Sequence, residues 1–250
     1  MNPAHLLPAL RLAVPRLLLL ALVSGLCAHA AAQTEKVSER QVVNTEGFLS
    51  AHPDLRWQRE GLEHHARGDH PAALRDFKRA ARFADKASQA MLGEMYLRGE
   101  GTPADPVEAY IWMDLAAERG YTVFLLKREA WWARLTAAEQ AGVLERGPAR
   151  YAEYGDEAAL PRLEKKLRQG RRQATGSRLG FKGALTIRIP TANGWTDISG
   201  EAYYREKFWQ MDRYLEWQQQ IWEPLPEGKV EIGPLQSGAA GEGTPAFPDD

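Results

Sequence analysis

Two stretches of this chain space their small and apolar residues in the same way, and that recurrence limits the fold to stacked helical pairs. The clearer copy, residues 88–121, reads SQAMLGEMYLRGEGTPADPVEAYIWMDLAAERGY. Leu92, Gly93 and Tyr96 are neighbours on one helix, and Ala109, Trp112, Met113, Ala116 and Ala117 recur three and four apart on a second. Gly99 and Gly101 give the permissive backbone that stops the first helix. Pro103 and Pro106 keep a helix from resuming too early, and Asp105 stands where an N-cap belongs. A displacement of 36 residues lays Asp69 on Asp105, Ala73 on Ala109, Phe77 on Met113 and Ala80-Ala81 on Ala116-Ala117. For the first helix the displacement is 32, placing Gly61 on Gly93 and His64 on Tyr96, so the turn at 67–70 is the shorter by four residues. A single hairpin cannot bury its own apolar face, so such units stack into a solenoid.

The order Leu92-Gly93, Tyr96, Gly99-Glu100-Gly101, Asp105, Ala109, Trp112, Ala116-Ala117, Gly120 resembles the Sel1-like repeat, an αα-hairpin related to the tetratricopeptide repeat. Thr102 for the usual Val and Ser88 for a common Ala are mild departures. The resemblance implies a surface that binds a protein or peptide, with the first helix of each hairpin lining the concave face. On that basis the contact residues are His65, Gln89, Glu94 and Arg98. The continuation at 121–134 reads as the first helix of an incomplete third unit. Thr136 and Glu139 form a capping box opening an end-cap helix through about residue 151, with Gly147-Pro148 as an expected interruption.

Residues 1–32 read as a secretory signal. Arg11 and Arg16 precede a ten-residue apolar run at 17–26, and small residues around Ala30 and Ala32 offer cleavage sites. Ten residues fall short of the roughly 20 needed to cross a hydrocarbon core. The reading implies a periplasmic or secreted protein with no membrane span after processing. Cys27 leaves with the signal, so the mature chain has no disulfide and carries a net charge of −3.

The expected organisation is mainly α. A polar, flexible lead-in (33–46) precedes a Sel1-like repeat region with its end cap (47–154), a small α+β module (155–235) and a disordered tail (236–250). In the module, 161–169 is expected as a short charged helix, and 185–189 as a strand returning through Asn193-Gly194 to 195–198. Residues 201–222 are expected as one aromatic helix and 229–232 as a last strand.

Chemistry has little footing in these residues. His64, His65 and His70 with Asp69 raise a metal site, but adjacent helix positions do not face one ion, so no metal ligand and no cofactor is assigned. There is no Gly-x-Ser-x-Gly, no histidine beyond residue 70, and nothing that selects Ser177 or the pair Glu153 and Asp156 over ordinary surface. A non-catalytic role follows. Electrostatics offers more: 161–188 carries nine Lys and Arg against Glu164, a segment of +8. One consequence is a basic face docked on the acidic repeats. The other is an anion or glycan site at Lys165, Lys166, Arg168, Arg171 and Arg172, with Trp209 stacking on a sugar, for an anionic envelope polymer; export disfavours nucleic acid.

Overall fold

A computed structural model describes residues 39–172, 185–191 and 194–223. The signal segment, Cys27, Ser177, the strand expected at 229–232 and the tail lie outside the described residues. After helical turns at 39–43 come α1 (Glu46–Ala51), α2 (Pro53–Ala66), α3 (His70–Ala81), α4 (Lys86–Arg98), α5 (Pro106–Ala117), α6 (Thr122–Trp132), α7 (Ala137–Tyr154) and α8 (Asp156–Arg172). The strands β1 (Thr186–Thr191) and β2 (Gly194–Ser199) follow, then α9 (Gly200–Tyr203), α10 (Glu206–Trp209) and α11 (Met211–Trp222).

The helical pairs are α2/α3 and α4/α5, joined by packing of α4 on α3. Their second helices begin in the same way. Asp69 accepts a hydrogen bond from the Ala72 amide at 3.2 Å and Asp105 one from the Glu108 amide at 3.0 Å, each with a proline in the first turn. Gly99 and Gly101 both take left-handed backbone, at φ 73° and 72°, between α4 and α5. The second repeat closes on Gly120 at φ 79°; 36 residues earlier the same backbone is held by Ala84 at φ 63°, a conformation that costs an L-residue about 1–2 kcal/mol. Leu92, Ala109, Trp112, Ala116 and Ala117 are buried, with Phe77, Ala73 and Met95 in the shared core. Each large side chain in it contributes roughly 1.5–3 kcal/mol.

The helix expected as an end cap is α7, opened by the expected Thr136–Glu139 capping box. Gly147-Pro148 does not interrupt it, and α8 extends from Asp156 past Pro161, longer than the expected 161–169. β1 and β2 pair antiparallel, Ile187 opposite Ile198. Residues 201–222 are not one helix. Gln210 sits in extended backbone at φ −107°, ψ 130°, and the Trp209 indole donates to the Tyr203 carbonyl at 2.7 Å. Breaking the helix turns Tyr203, Phe208, Trp209 and Tyr214 all inward, which a single helical stripe cannot do. Tyr203, Phe208 and Trp209 share a core with Val42, Phe48, Ala51, Ile189 and Ile198, while Tyr214 packs with Leu163 and Leu167, so the stretch expected as a flexible lead-in supplies a fully buried valine.

A buried polar network ties these parts together. Lys86 donates to the Leu115 carbonyl (2.9 Å) and to Glu118 (2.8 Å), and pairs with Asp156 at 2.9 Å. Arg119 holds both Asp156 oxygens (2.7 and 3.0 Å), Gln218 Oε1 (2.9 Å) and the Ala84 carbonyl (3.0 Å). On the far side Tyr214 donates its hydroxyl to Asp54, buried on α2. Burial pushes Asp54 and Asp85 up to about 6 each, from 3.8.

Two predictions follow from this packing. A Cβ at Gly61 would meet the Phe77 ring at 2.7 Å. Gly61→Ala gains about 1 kcal/mol of helix propensity but forces a clash that costs about 1–3 kcal/mol. Urea unfolding should show a net loss, and Phe77→Leu in the same chain should cost less than the two changes added separately. The second prediction concerns Asp54. A carboxyl whose folded pKa is raised binds its proton more readily in the folded state, so its contribution is fully present below the unfolded value and is lost as pH rises through about 6. Relative to wild type, Asp54→Asn should therefore gain stability between about pH 4 and pH 7, by at most about 3 kcal/mol. A difference that does not move with pH would mean Asp54 ionises as freely in the fold as in the unfolded chain.

Candidate functional site: a charged ribbon across the first helices

The first helices α2, α4 and α6 each carry polar residues joined across helix boundaries. Lys127 on α6 reaches Glu94 Oε1 on α4 at 2.6 Å, and Glu94 Oε2 accepts from Arg98 Nη1 at 2.9 Å. Arg98 turns back on Glu100 in the glycine turn, Nε to Oε1 at 2.8 Å and Nη2 to Oε2 at 3.3 Å. Glu100 Oε2 in turn lies 3.0 Å from His65 Nε2 on α2. The hydrogen bonds from Arg98, and then that with His65, hold the Glu100 carboxyl down at about 2. Exposed apolar residues flank the ribbon one helical turn away: Leu62 before His65, Leu97 after Glu94, and Val123 before Lys127. Beside Leu97 a hollow of about 140 Å³ is lined by Pro106, Trp131, Arg134, Leu135 and Glu139. That volume accommodates about one benzene-sized group.

Three of the four residues expected at a protein-binding face, His65, Glu94 and Arg98, are thus brought into one connected surface. Gln89 is not. It is fully buried and donates to the Tyr154 carbonyl at 2.9 Å, a structural contact that ties α4 to the end of α7. Glu100 and Lys127 are the members that sequence reasoning missed. Glu100 is the central residue of the Gly99-Glu100-Gly101 turn, and its position between two glycines was the available signal. Lys127 carried none, because its partner lies 33 residues away.

The histidines separate. His64 Nδ1 faces Asp76 Oδ2 at 2.8 Å, while His65 points to Glu100 and lies with its ring centroid 5.1 Å from that of His70. Glu153 and Asp156 do not form a working pair either. Glu153 is bridged to Arg82 at 2.7 Å, and Asp156 is consumed by Arg119 and Lys86.

The glycan-stacking reading of Trp209 is corrected by its burial. Only 4% of it is exposed, and its ring packs against Phe48, His52 and Tyr203. Lys165, Lys166, Arg168, Arg171 and Arg172 are exposed on α8, whose buried side is Ala159, Leu163, Leu167 and Gly170. Arg168 pairs loosely with Glu164 at 3.5 Å.

Comparison with known proteins follows the same boundaries as the second helical pair. Residues 86–121 match the Sel1 repeat. The chain carries a Sel1 repeat. The match begins at Lys86, the first residue of α4, and ends at Tyr121, just past the closing glycine. No curated protein matches the chain. A solved structure that is similar over part of its length is c5321, a protective antigen present in uropathogenic Escherichia coli strains, displaying an SLR fold. The identity is 28% and the TM-score 0.33, over 38% of this chain and 21% of that one. Leu92, Gly93, Tyr96, Gly99, Gly101, Asp105, Ala109, Trp112, Ala116, Ala117 and Gly120 lie within the matched residues; Gly61 belongs to the preceding pair, which the match does not include. Among the described residues no helix is long and apolar enough to cross a membrane.

Proposed function

We propose that this is an exported, non-catalytic interaction protein that holds a protein or peptide partner on the face made by α2, α4 and α6. Sel1 repeats typically mediate protein interaction, which supports this class. The observation that carries the assignment to this face is the unbroken run Lys127–Glu94–Arg98–Glu100–His65, which crosses successive helical pairs and is edged by Leu62, Leu97 and Val123. Apolar residues of that kind supply contact area, and charges around them set orientation and reject wrong partners. The hollow beside Leu97 gives one anchor side chain of the partner a place to insert.

A photo-crosslinking residue at position 97 should trap a specific neighbour in intact cells. The combined change Glu94→Lys and Arg98→Glu should remove that adduct while leaving the fold intact, since exposed ion pairs contribute only about 0–1 kcal/mol. An adduct that survives the double reversal unchanged would place the binding face elsewhere. Export rests on the segment 1–32, and N-terminal sequencing of the protein from cells should find a chain that starts after Ala30 or Ala32.

A further inference from the structure

Where the two helical pairs meet, two imidazoles and a carboxylate converge from different elements. His65 is in the last turn of α2, His70 is the first residue of α3, and Glu100 sits in the turn that leaves α4. One ligand atom from each lies within 4.8 Å of the other two. We propose that His65, His70 and Glu100 form a site for a single divalent transition-metal ion, Zn²⁺ being the ion this donor set fits best.

The donors are held before any ion arrives. Gly101 rests against the backbone of His70 so closely that a Cβ there would meet the His70 carbonyl at 2.7 Å, which docks the glycine turn of one pair onto the opening of α3. Glu100 is oriented from behind by Arg98, the supporting role that second-layer groups play around ligating carboxylates. His65 Nε2 and Glu100 Oε2, 3.0 Å apart, are already spaced as two ligands on one ion. His70 Nδ1 is buried and has no hydrogen-bond partner. A buried polar atom left without a partner is costly.

The chemistry of the set narrows the ion. Zn²⁺ binds His nitrogen at about 2.0–2.1 Å and carboxylate oxygen at about 2.0–2.2 Å, in four-coordinate sites that accept two histidines and one acid with solvent in the remaining position. Two imidazoles against one carboxylate disfavour Ca²⁺ and Mg²⁺, which take oxygen ligands almost alone. The Arg98 guanidinium beside Glu100 opposes a cation, so affinity falls below that of closed structural zinc sites. An ion here would clamp α2 and α3 to the turn of the following repeat.

The test uses the full chain and Zn²⁺ in competition with a chromogenic chelator. Wild type should take up Zn²⁺ saturably, and its Tm should rise with added Zn²⁺. His65→Gln, His70→Gln and Glu100→Gln should each weaken uptake by at least about tenfold, while His64→Gln, whose ring faces Asp76, leaves it within about twofold. No saturable uptake by wild type, or uptake that the three variants retain, overturns the site. Should a variant fail to fold, the electron paramagnetic resonance spectrum of the unaltered protein with one equivalent of Cu²⁺ decides. Two coordinated imidazole nitrogens support the site, and fewer overturn it. His65 and Glu100 also belong to the charged ribbon, so the crosslink at position 97, read with the Glu94→Lys and Arg98→Glu changes and no added metal, is what tests the partner-binding face separately.

Discussion

The arrangement depends on the burial of two cations, Lys86 and Arg119, with the carboxylate of Asp156 between them. Lys86 is 2% exposed, and its burial pulls the ammonium pKa down despite Asp156 and Glu118. Burial works against the charge of Arg119 as well, but its paired hydrogen bonds to Asp156 more than offset that and hold the guanidinium above its ordinary range. Removing one partner from a buried pair of this kind costs about 3–5 kcal/mol, because the other charge is stranded. Hydrophobic contact alone would let neighbouring helices slide. A lysine that must find the Leu115 carbonyl, Glu118 and Asp156 together permits one placement of α8 against the end of α5. Arg119 extends that restriction to α11 through Gln218, and Asp54 with Tyr214 brings in α2.

This explains which parts could be read from the chain and which could not. The second pair was legible because each of its motif residues answers a local demand: left-handed backbone at Gly99 and Gly101, a cap at Asp105, close approach at Gly93. The first pair was legible only by displacement, since its packing tyrosine is His64 and its closing glycine is Ala84, held in strained backbone by surroundings the sequence does not display. The hairpin near Asn193-Gly194 followed from turn chemistry. The division of 201–222 into three helices did not, because helical periodicity counts apolar residues and is blind to a break that turns four aromatics inward, three into one core and Tyr214 into the next. The same blindness applies to Val42, a lone apolar residue in a polar stretch, whose burial is caused by strands and helices over 140 residues further on.

Charge was the least legible property. The +8 total over 161–188 is correct as a sum but does not say how each charge is used. Arg162 spends its guanidinium on the Arg82 and Glu153 carbonyls, Arg188 is paired with Asp197 at 2.9 Å, and Trp209, the aromatic that lent the segment a sugar-binding character, faces the core. On the repeat face the opposite holds. No net charge marks it, yet it carries continuous charge pairing across helices, because acids and bases alternate from α6 to α2 and cancel in any sum.

That cancellation constrains how such a face works. Every charge on the ribbon already has an internal partner, so an incoming protein gains by an ion pair only what it exceeds the one it displaces. Exposed pairs are worth little, which makes the exchange nearly neutral in energy. Affinity must then come from apolar contact at Leu62, Leu97 and Val123 and from filling the hollow beside Trp131. The charges decide something different, namely which sequences can lie across Glu94, Arg98 and Glu100 without stranding one of them. A partner of uniform sign would break pairs on the ribbon without replacing them, whereas one that alternates in register re-forms each pair as it lands. The surface therefore selects for pattern rather than for net charge, and it does so with side chains that cost the fold almost nothing to present.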